Sequence, residues 1–252
     1  MNQLQTMEIF VNYSQKVSIF SKPEVLADNL ACELLNDFKN CNRDRFNIAL
    51  SGGNTPKVLY QKLSSYQYRT KFNWNQIDLF WGDERCVPPD NEESNFALVN
   101  QFLINNIDIP TQNIHRIKGE KVPEQEAVRY SKELKQHFNT GDQYPCFDII
   151  LLGLGSDGHT ASLFPNSKNL GNKNYCSVAV HPETGQNRIT LNLPVLLNAR
   201  KIFFMVAGFN KAKIIKKIIL EKIISKKYPA SLLNKSRRVK WFLDKAAARY
   251  LI

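Results

Sequence analysis

Four segments hold residue types able to grip an anion or move a proton. Ser51-Gly52-Gly53-Asn54-Thr55-Pro56 joins an apolar run to a helical pattern. Its glycines let the backbone approach a ligand, Pro56 suits a first helical turn, and Ser51, Asn54 and Thr55 add donors beside a helix N-terminus, which attracts anions. Read alone, the segment is also an ordinary strand-to-helix turn with an Asn or Thr cap. The phosphate loop G-x-x-x-x-G-K-[ST] is absent. Gly82-Asp83-Glu84-Arg85, ahead of Cys86-Val87-Pro88 and Ser94-Asn95, puts two acids and an arginine at a strand end. Arg85 suits a bidentate phosphate contact, and Asp83 could orient the phosphate or a substrate hydroxyl. A surface ion pair beside a proline turn is the plainer alternative.

The third segment is Gly153-Leu154-Gly155-Ser156-Asp157-Gly158-His159-Thr160-Ala161-Ser162-Leu163-Phe164-Pro165. It contains G-x-G-x-x-G after an apolar run, but no acid lies between Gly158 and Glu183, where a dinucleotide's ribose partner belongs. A nucleophile elbow, G-x-S-x-G, fails at Leu154. What remains is a glycine-rich loop presenting Asp157 and His159. Histidine is suited to proton transfer near neutral pH, and Asp157 is near enough in sequence to orient its ring. A packing role in the loop is the alternative for His159. The fourth pair, Arg188 and Lys211, lies at strand boundaries. With Arg85 and the Ser51 loop these cations would form a pocket for a doubly charged phosphate. His115, His137, His159 and His181 show no H-E-x-x-H or other ligand spacing, so no metal is expected.

The elements that must position these residues follow from apolar pattern. Strands are expected at Phe46–Leu50, Ile77–Trp81, Ile114–Ile117 and Phe147–Leu152, and again near Ser177–Val180, Ile189–Leu193, Ile202–Ala207 and Val239–Leu243. Helices are expected at Pro56–Leu63, Ser94–Ile104 and Pro123–Phe138, from Lys211 onward, and at Ala246–Leu251. Strands alternating with helices predict an α/β fold, a mostly parallel twisted sheet with helices on both faces. In such sheets ligands sit at the carboxyl ends of strands, where the first three segments fall. With no repeat and no linker, one domain over residues 1–252 is the simplest organisation.

The 252 residues are enough for a sizeable core, and no apolar run is long enough to span a membrane. Met1 to Asn12 lacks the basic-then-apolar pattern of a secretory signal. Five scattered cysteines without C-x-x-C read as reduced thiols in a cytoplasm. The formal charge of +11 is concentrated: Lys211 to Lys240 holds eleven Lys or Arg and one acid, Glu221. A helix with a solvated basic face is the plain reading. Nucleic-acid or anionic-membrane binding is the alternative, and a basic surface also attracts anionic metabolites.

Taken in order, these segments resemble the 6-phosphogluconolactonases of the glucosamine-6-phosphate isomerase/6-phosphogluconolactonase family, from about Ser51 to Lys211. The Asp157-to-Pro165 and Gly82-to-Arg85 runs are the specific parts, and the Ser51 loop is shared with a wider set of sugar-phosphate enzymes. The resemblance implies a modified Rossmann-like fold that holds no nucleotide. It implies a hydrolase of carbohydrate metabolism that opens 6-phospho-D-glucono-1,5-lactone in the pentose phosphate pathway, with His159 as base. The related glucosamine-6-phosphate deaminases share the glycine loop and the Asp-Gly-His run. They look for a glutamate where this chain has Phe164, and for Asp-Glu-Tyr where it has Asp83-Glu84-Arg85. Both departures favour the lactonase. The expectation is therefore a small phosphorylated lactone as partner, no cofactor, no nucleic acid, no membrane, and a monomer or small homo-oligomer. A deaminase-like sugar-phosphate enzyme is the alternative, and a nucleic-acid binder using residues 211–240 the remote one.

Overall fold

A computed structural model of the chain describes residues 7–9 and 16–252. The reading of Met1 to Asn12 as lacking a signal falls, except for residues 7–9, outside the described residues. In chain order the elements are β1 (Met7–Ile9), β2 (Lys16–Phe20), α1 (Pro23–Lys39), β3 (Phe46–Leu50), α2 (Asn54–Leu63), α3 (Tyr66–Arg69), β4 (Ile77–Trp81), β5 (Asp83–Arg85), α4 (Asn95–Phe102), β6 (Ile114–His115) and α5 (Pro123–Phe138). They continue with β7 (Ile149–Leu152), β8 (Cys176–Val180), β9 (Asn187–Leu191), α6 (Leu193–Asn198), β10 (Lys201–Val206), α7 (Ala212–Ile215), α8 (Pro229–Leu233) and β11 (Val239–Asp244).

Eight strands form one sheet in the order β1-β2-β11-β10-β7-β3-β4-β6, parallel throughout except for β1 against β2. Every residue of β4 and β7 is buried, so both faces of the sheet are covered, as a parallel sheet requires. Its strands bury Trp81, Phe203, Phe204, Trp241 and Phe242, with Phe204 stacked on Trp241 at 4.0 Å between ring centroids. From β3 the chain builds outward through β4 to β6, then returns to lay β7 on the other side of β3 and continues to β10 and β11. The switch point between β3 and β7 opens a crevice at the carboxyl edge, flanked by the loops at Ser51 and Gly153.

Several expectations are corrected. The strands expected near Ser177–Val180 and Ile189–Leu193 form, but they leave the main sheet. They make a three-stranded antiparallel sheet, β5-β9-β8, reached from the end of β4 through Gly82. Ala246–Leu251 forms turns rather than a helix. Asp244 binds the first of these turns by accepting from the Ala247 N–H at 2.7 Å. The helix expected from Lys211 runs regularly for one turn, widens into a π turn at Lys216–Leu220, and stops. The basic stretch is therefore no single amphipathic helix. Helix α1 buries Leu26, Ala27, Leu30, Ala31, Leu34 and Leu35 at helical spacing behind Pro23, a pattern present in the sequence but not assigned. Among the described residues no helix is long and apolar enough to cross a membrane.

Candidate active site

Tyr60, on the second turn of α2, hangs the Ser51 loop from the helix that follows it. Its hydroxyl donates to the Ser51 carbonyl at 2.5 Å and accepts from the Ser51 N–H at 3.2 Å. Gly53 turns the chain at φ +105°, left-handed territory open to glycine. A Cβ on Gly52 would stand 1.7 Å from Asn95 Oδ1, so glycine is required there. Asn95, 2% exposed, donates to the Asp83 carbonyl at 2.8 Å.

The acids of the Gly82-to-Arg85 run separate into different tasks. Glu84 is buried and accepts from the N–H groups of Arg85, Asn95 and Phe96 and from the Ser94 hydroxyl, binding the N-terminus of α4. Burial pushes its carboxyl up to about 7 against the pull of those N–H groups. Asp83 instead accepts from the Ser162 hydroxyl at 2.6 Å, tying β5 to the loop that carries His159. Arg85 stands directly opposite Arg188 across the β5–β9 pair. Like charges so placed repel. Burial and then Arg85 hold the Arg188 guanidinium below its ordinary range. Among the described residues the buried Nε of Arg85 has no hydrogen-bond partner. Two crowded guanidinium groups, one with an unpaired Nε, are what an anion would relieve.

The His159 loop closes on itself. Gly155 N–H donates to the His159 carbonyl at 2.8 Å, and Gly158 N–H to the Gly155 carbonyl at 3.0 Å. Gly158 sits at φ +90°. Asp157 Oδ1 lies 2.7 Å from His159 Nδ1 and accepts the His159 N–H at 3.1 Å. Burial alone would raise the Asp157 carboxyl, but His159 outweighs it and holds it below its ordinary range. With Nδ1 donating to that carboxylate, Nε2 is the free acceptor of the ring. A Cβ on Gly155 would sit 2.2 Å from His159 Nδ1 and 2.4 Å from Asp157 Oδ1, so this pair rests on bare backbone.

One cleft of about 420 Å³ brings these parts together. It is lined by Ser51, Gly52, Gly53, Asn54, Thr55, Asp83, Arg85, His159, Arg188 and Lys211. Of the candidate catalytic and binding residues, only Asp157 is not on its wall; it meets the cleft through His159 Nδ1. Asn95, Ala161 and Asn210 also line it and were not singled out. Burial lowers the Lys211 ammonium against the opposing charge of Asp157, so Lys211 belongs to the His159 side, while Arg188 belongs with Arg85. Phe164 is buried, with its ring 5.1 Å from His159, 5.1 Å from His181 and 5.8 Å from the Arg188 guanidinium.

The expectation of no metal grouping is qualified at the opposite edge of the sheet, where Asp78, His115 and His137 converge. Their donors are already committed. Asp78 pairs with Arg45, His115 Nδ1 meets Glu133 at 2.9 Å, and His137 Nε2 meets Asn47 Oδ1 at 2.7 Å. The cluster is an ion-pair network as it stands.

Fold and site together define a doubly wound α/β protein with a carboxylate–histidine pair in a cation-lined cleft at its switch point. The family model described as glucosamine-6-phosphate isomerases/6-phosphogluconolactonase matches residues 21–241, and the chain belongs to that family. It is 42% identical to the 6-phosphogluconolactonase of Haemophilus influenzae over 81% of this chain and 87% of that one. It is 35% identical to the human 6-phosphogluconolactonase over 93% of both. Among solved structures it resembles the devB protein, with a TM-score of 0.87 and 38% identity over 94% of this chain and all of that one. The Trypanosoma cruzi 6-phosphogluconolactonase follows at 0.84 and 29%, covering 93% of this chain and 96% of that one. A monomeric glucosamine-6-phosphate deaminase shares the fold at 22% identity and a TM-score of 0.79.

Proposed function

We propose that the chain hydrolyses 6-phospho-D-glucono-1,5-lactone to 6-phospho-D-gluconate, the lactone-opening step of the pentose phosphate pathway. The observation that carries this reading is the Asp157–His159 pair set at a cleft that Arg85, Arg188 and Lys211 also line. The substrate phosphate lies against the N-terminus of α2, the Ser51–Thr55 loop and Lys211, where a ten-residue helix directs unpaired N–H groups and the positive end of its dipole. His159 Nε2 takes a proton from water as the water oxygen attacks the lactone carbonyl carbon. The negative charge that develops on the carbonyl oxygen falls to Arg85 and Arg188. The N–H groups of Gly155 and Gly158 are spent within the loop and are not available for that task. As the tetrahedral intermediate collapses, the ring C–O bond breaks and protonated His159 returns its proton to the leaving ring oxygen. General base catalysis of this kind contributes roughly 10²–10⁴-fold.

Phe164 supports hydrolysis over deamination, since a buried ring stands where the ring-opening deaminases look for a carboxylate. The chemistry calls for no metal and no nucleotide. Five unbridged cysteines support a cytoplasmic setting, and we assign a small-molecule partner and a monomer or small homo-oligomer. The test is a coupled assay on freshly made lactone, corrected for spontaneous hydrolysis and repeated after exhaustive chelation. Protein-dependent turnover that survives chelation is expected. No turnover above the spontaneous rate would overturn the reading, and loss on chelation reversed by one metal would overturn the metal-free mechanism.

A further inference from the structure

The basic stretch after Lys211 turns back over the catalytic loop. Its segment Ser225–Ser231 is hydrogen-bonded to that loop at both ends: Ala230 N–H donates to the Gly158 carbonyl at 3.0 Å, and Asn166 N–H donates to the Lys226 carbonyl at 2.9 Å. Between these bonds Tyr228 lies on Gly158. A Cβ added to Gly158 would meet Tyr228 Cδ1 at 3.0 Å and Tyr228 Cα at 3.1 Å. The segment is braced from within. Ser231, fully buried, accepts the Ser225 N–H at 2.9 Å through its hydroxyl, and its own N–H donates to the Tyr228 carbonyl at 2.8 Å. Lys217 fixes the outer side, with Nζ 3.0 Å from the Tyr228 hydroxyl and 5.2 Å from the ring centroid.

The loop beneath has reason to need holding. Ala161, two residues after His159, sits at φ +48°, a left-handed conformation that costs a non-glycine residue about 1–3 kcal/mol and persists only where the surroundings enforce it. Neither Gly155 nor Gly158 has a side chain with which to anchor the turn.

From these contacts we infer that the Ser225–Ser231 strap, through Tyr228 seated on Gly158, is the positioning element that holds His159 in its working orientation. The inference rests on the reading of His159 as the base. Tyr228 is not among the residues that line the cleft, so it acts through the loop and not on substrate. A base displaced by about 1 Å can lose roughly 10²-fold in rate, while the phosphate grip at Lys211 and Ser51 stays where it is.

The experiment compares Tyr228→Ala, Tyr228→Leu and Tyr228→Phe with the unaltered chain and with His159→Gln. It measures kcat, KM, melting temperature and the His159 imidazole resonances by NMR. Tyr228→Ala should lower kcat by about 10–100-fold with KM within about threefold, and should broaden or shift the His159 resonances. Tyr228→Phe, which keeps the ring on Gly158, should restore kcat to within about threefold of the unaltered chain. If Tyr228→Ala does not fold, Tyr228→Leu breaks the same ring contact and carries the same expectation. A lower melting temperature with kcat and the imidazole resonances unchanged would overturn the proposal, leaving the strap merely structural. If His159→Gln is fully active, the base reading fails by itself. The imidazole resonances then decide the strap alone: a shift in Tyr228→Ala supports it and no shift overturns it.

Discussion

At the scale of single residues, a histidine base is useful only if its tautomer and its aim are fixed. Asp157 does this for His159 by occupying Nδ1, which leaves Nε2 as acceptor. Gly155 makes the arrangement possible by having no side chain. Gly155→Ala should therefore displace the ring and lower kcat by about tenfold or more, with little change in KM, since 1 Å of misplacement reaches about 10²-fold. A Gly155→Ala protein with unchanged kcat would mean the ring is not held as described. The cations divide by position. Lys211→Ala should weaken handling of the phosphorylated lactone by about 10–100-fold and leave an unphosphorylated lactone nearly untouched, from the ~1.5–3 kcal/mol of a charge-assisted hydrogen bond. If Arg188 serves the lactone carbonyl as proposed, Arg188→Ala should impair both substrates. Equal losses on both substrates for Lys211→Ala would remove it from the phosphate. His159, Asp157 and the Ser51 loop were legible in sequence because each is a local run. The facing of Arg85 and Arg188 was not, because it arises from strand pairing between segments far apart in the chain.

At the scale of elements, the long strands and helices were readable wherever apolar spacing was dense, as in β4, β7 and α5. Short β5, only Asp83–Arg85, carries no periodicity, and its pairing with β9 is what draws Arg188 over the cleft. The Asp78–His115–Glu133 network does comparable work at the other edge, joining β4, β6 and α5. Burial alone would hold the His115 ring below its ordinary range, but Asp78 and Glu133, one on each nitrogen, lift it above that range. Folding thus favours the protonated ring. Its contribution to stability is present below the unfolded value of about 6.5 and is lost as pH rises through the raised folded value. His137 beside it is lowered, first by burial, and works in the opposite sense. The melting temperature of the unaltered chain should therefore fall more steeply from about pH 6 to about pH 8 than that of His115→Gln. Equal slopes would show that this network does not set the pH response.

At the scale of the whole molecule, the doubly wound order puts β3 and β7 side by side at the switch point, so the Ser51 loop and the His159 loop face one cleft from the start. The net charge of +11 suits a cleft that must draw in a phosphorylated ring. The parallel α/β class was legible from alternation alone. The turned-back basic stretch was not, because its hydrogen bonds to the catalytic loop depend on tertiary contact rather than pattern. All of this converges on His159. The most direct measurement is lactone hydrolysis and melting temperature on one preparation of His159→Gln. The account predicts a folded protein that keeps most of its affinity for the phosphorylated ligand and loses roughly 10²–10⁴-fold in rate. A variant that melts lower yet turns over within a few fold of the unaltered chain, per folded molecule, would contradict it and return His159 to a packing role.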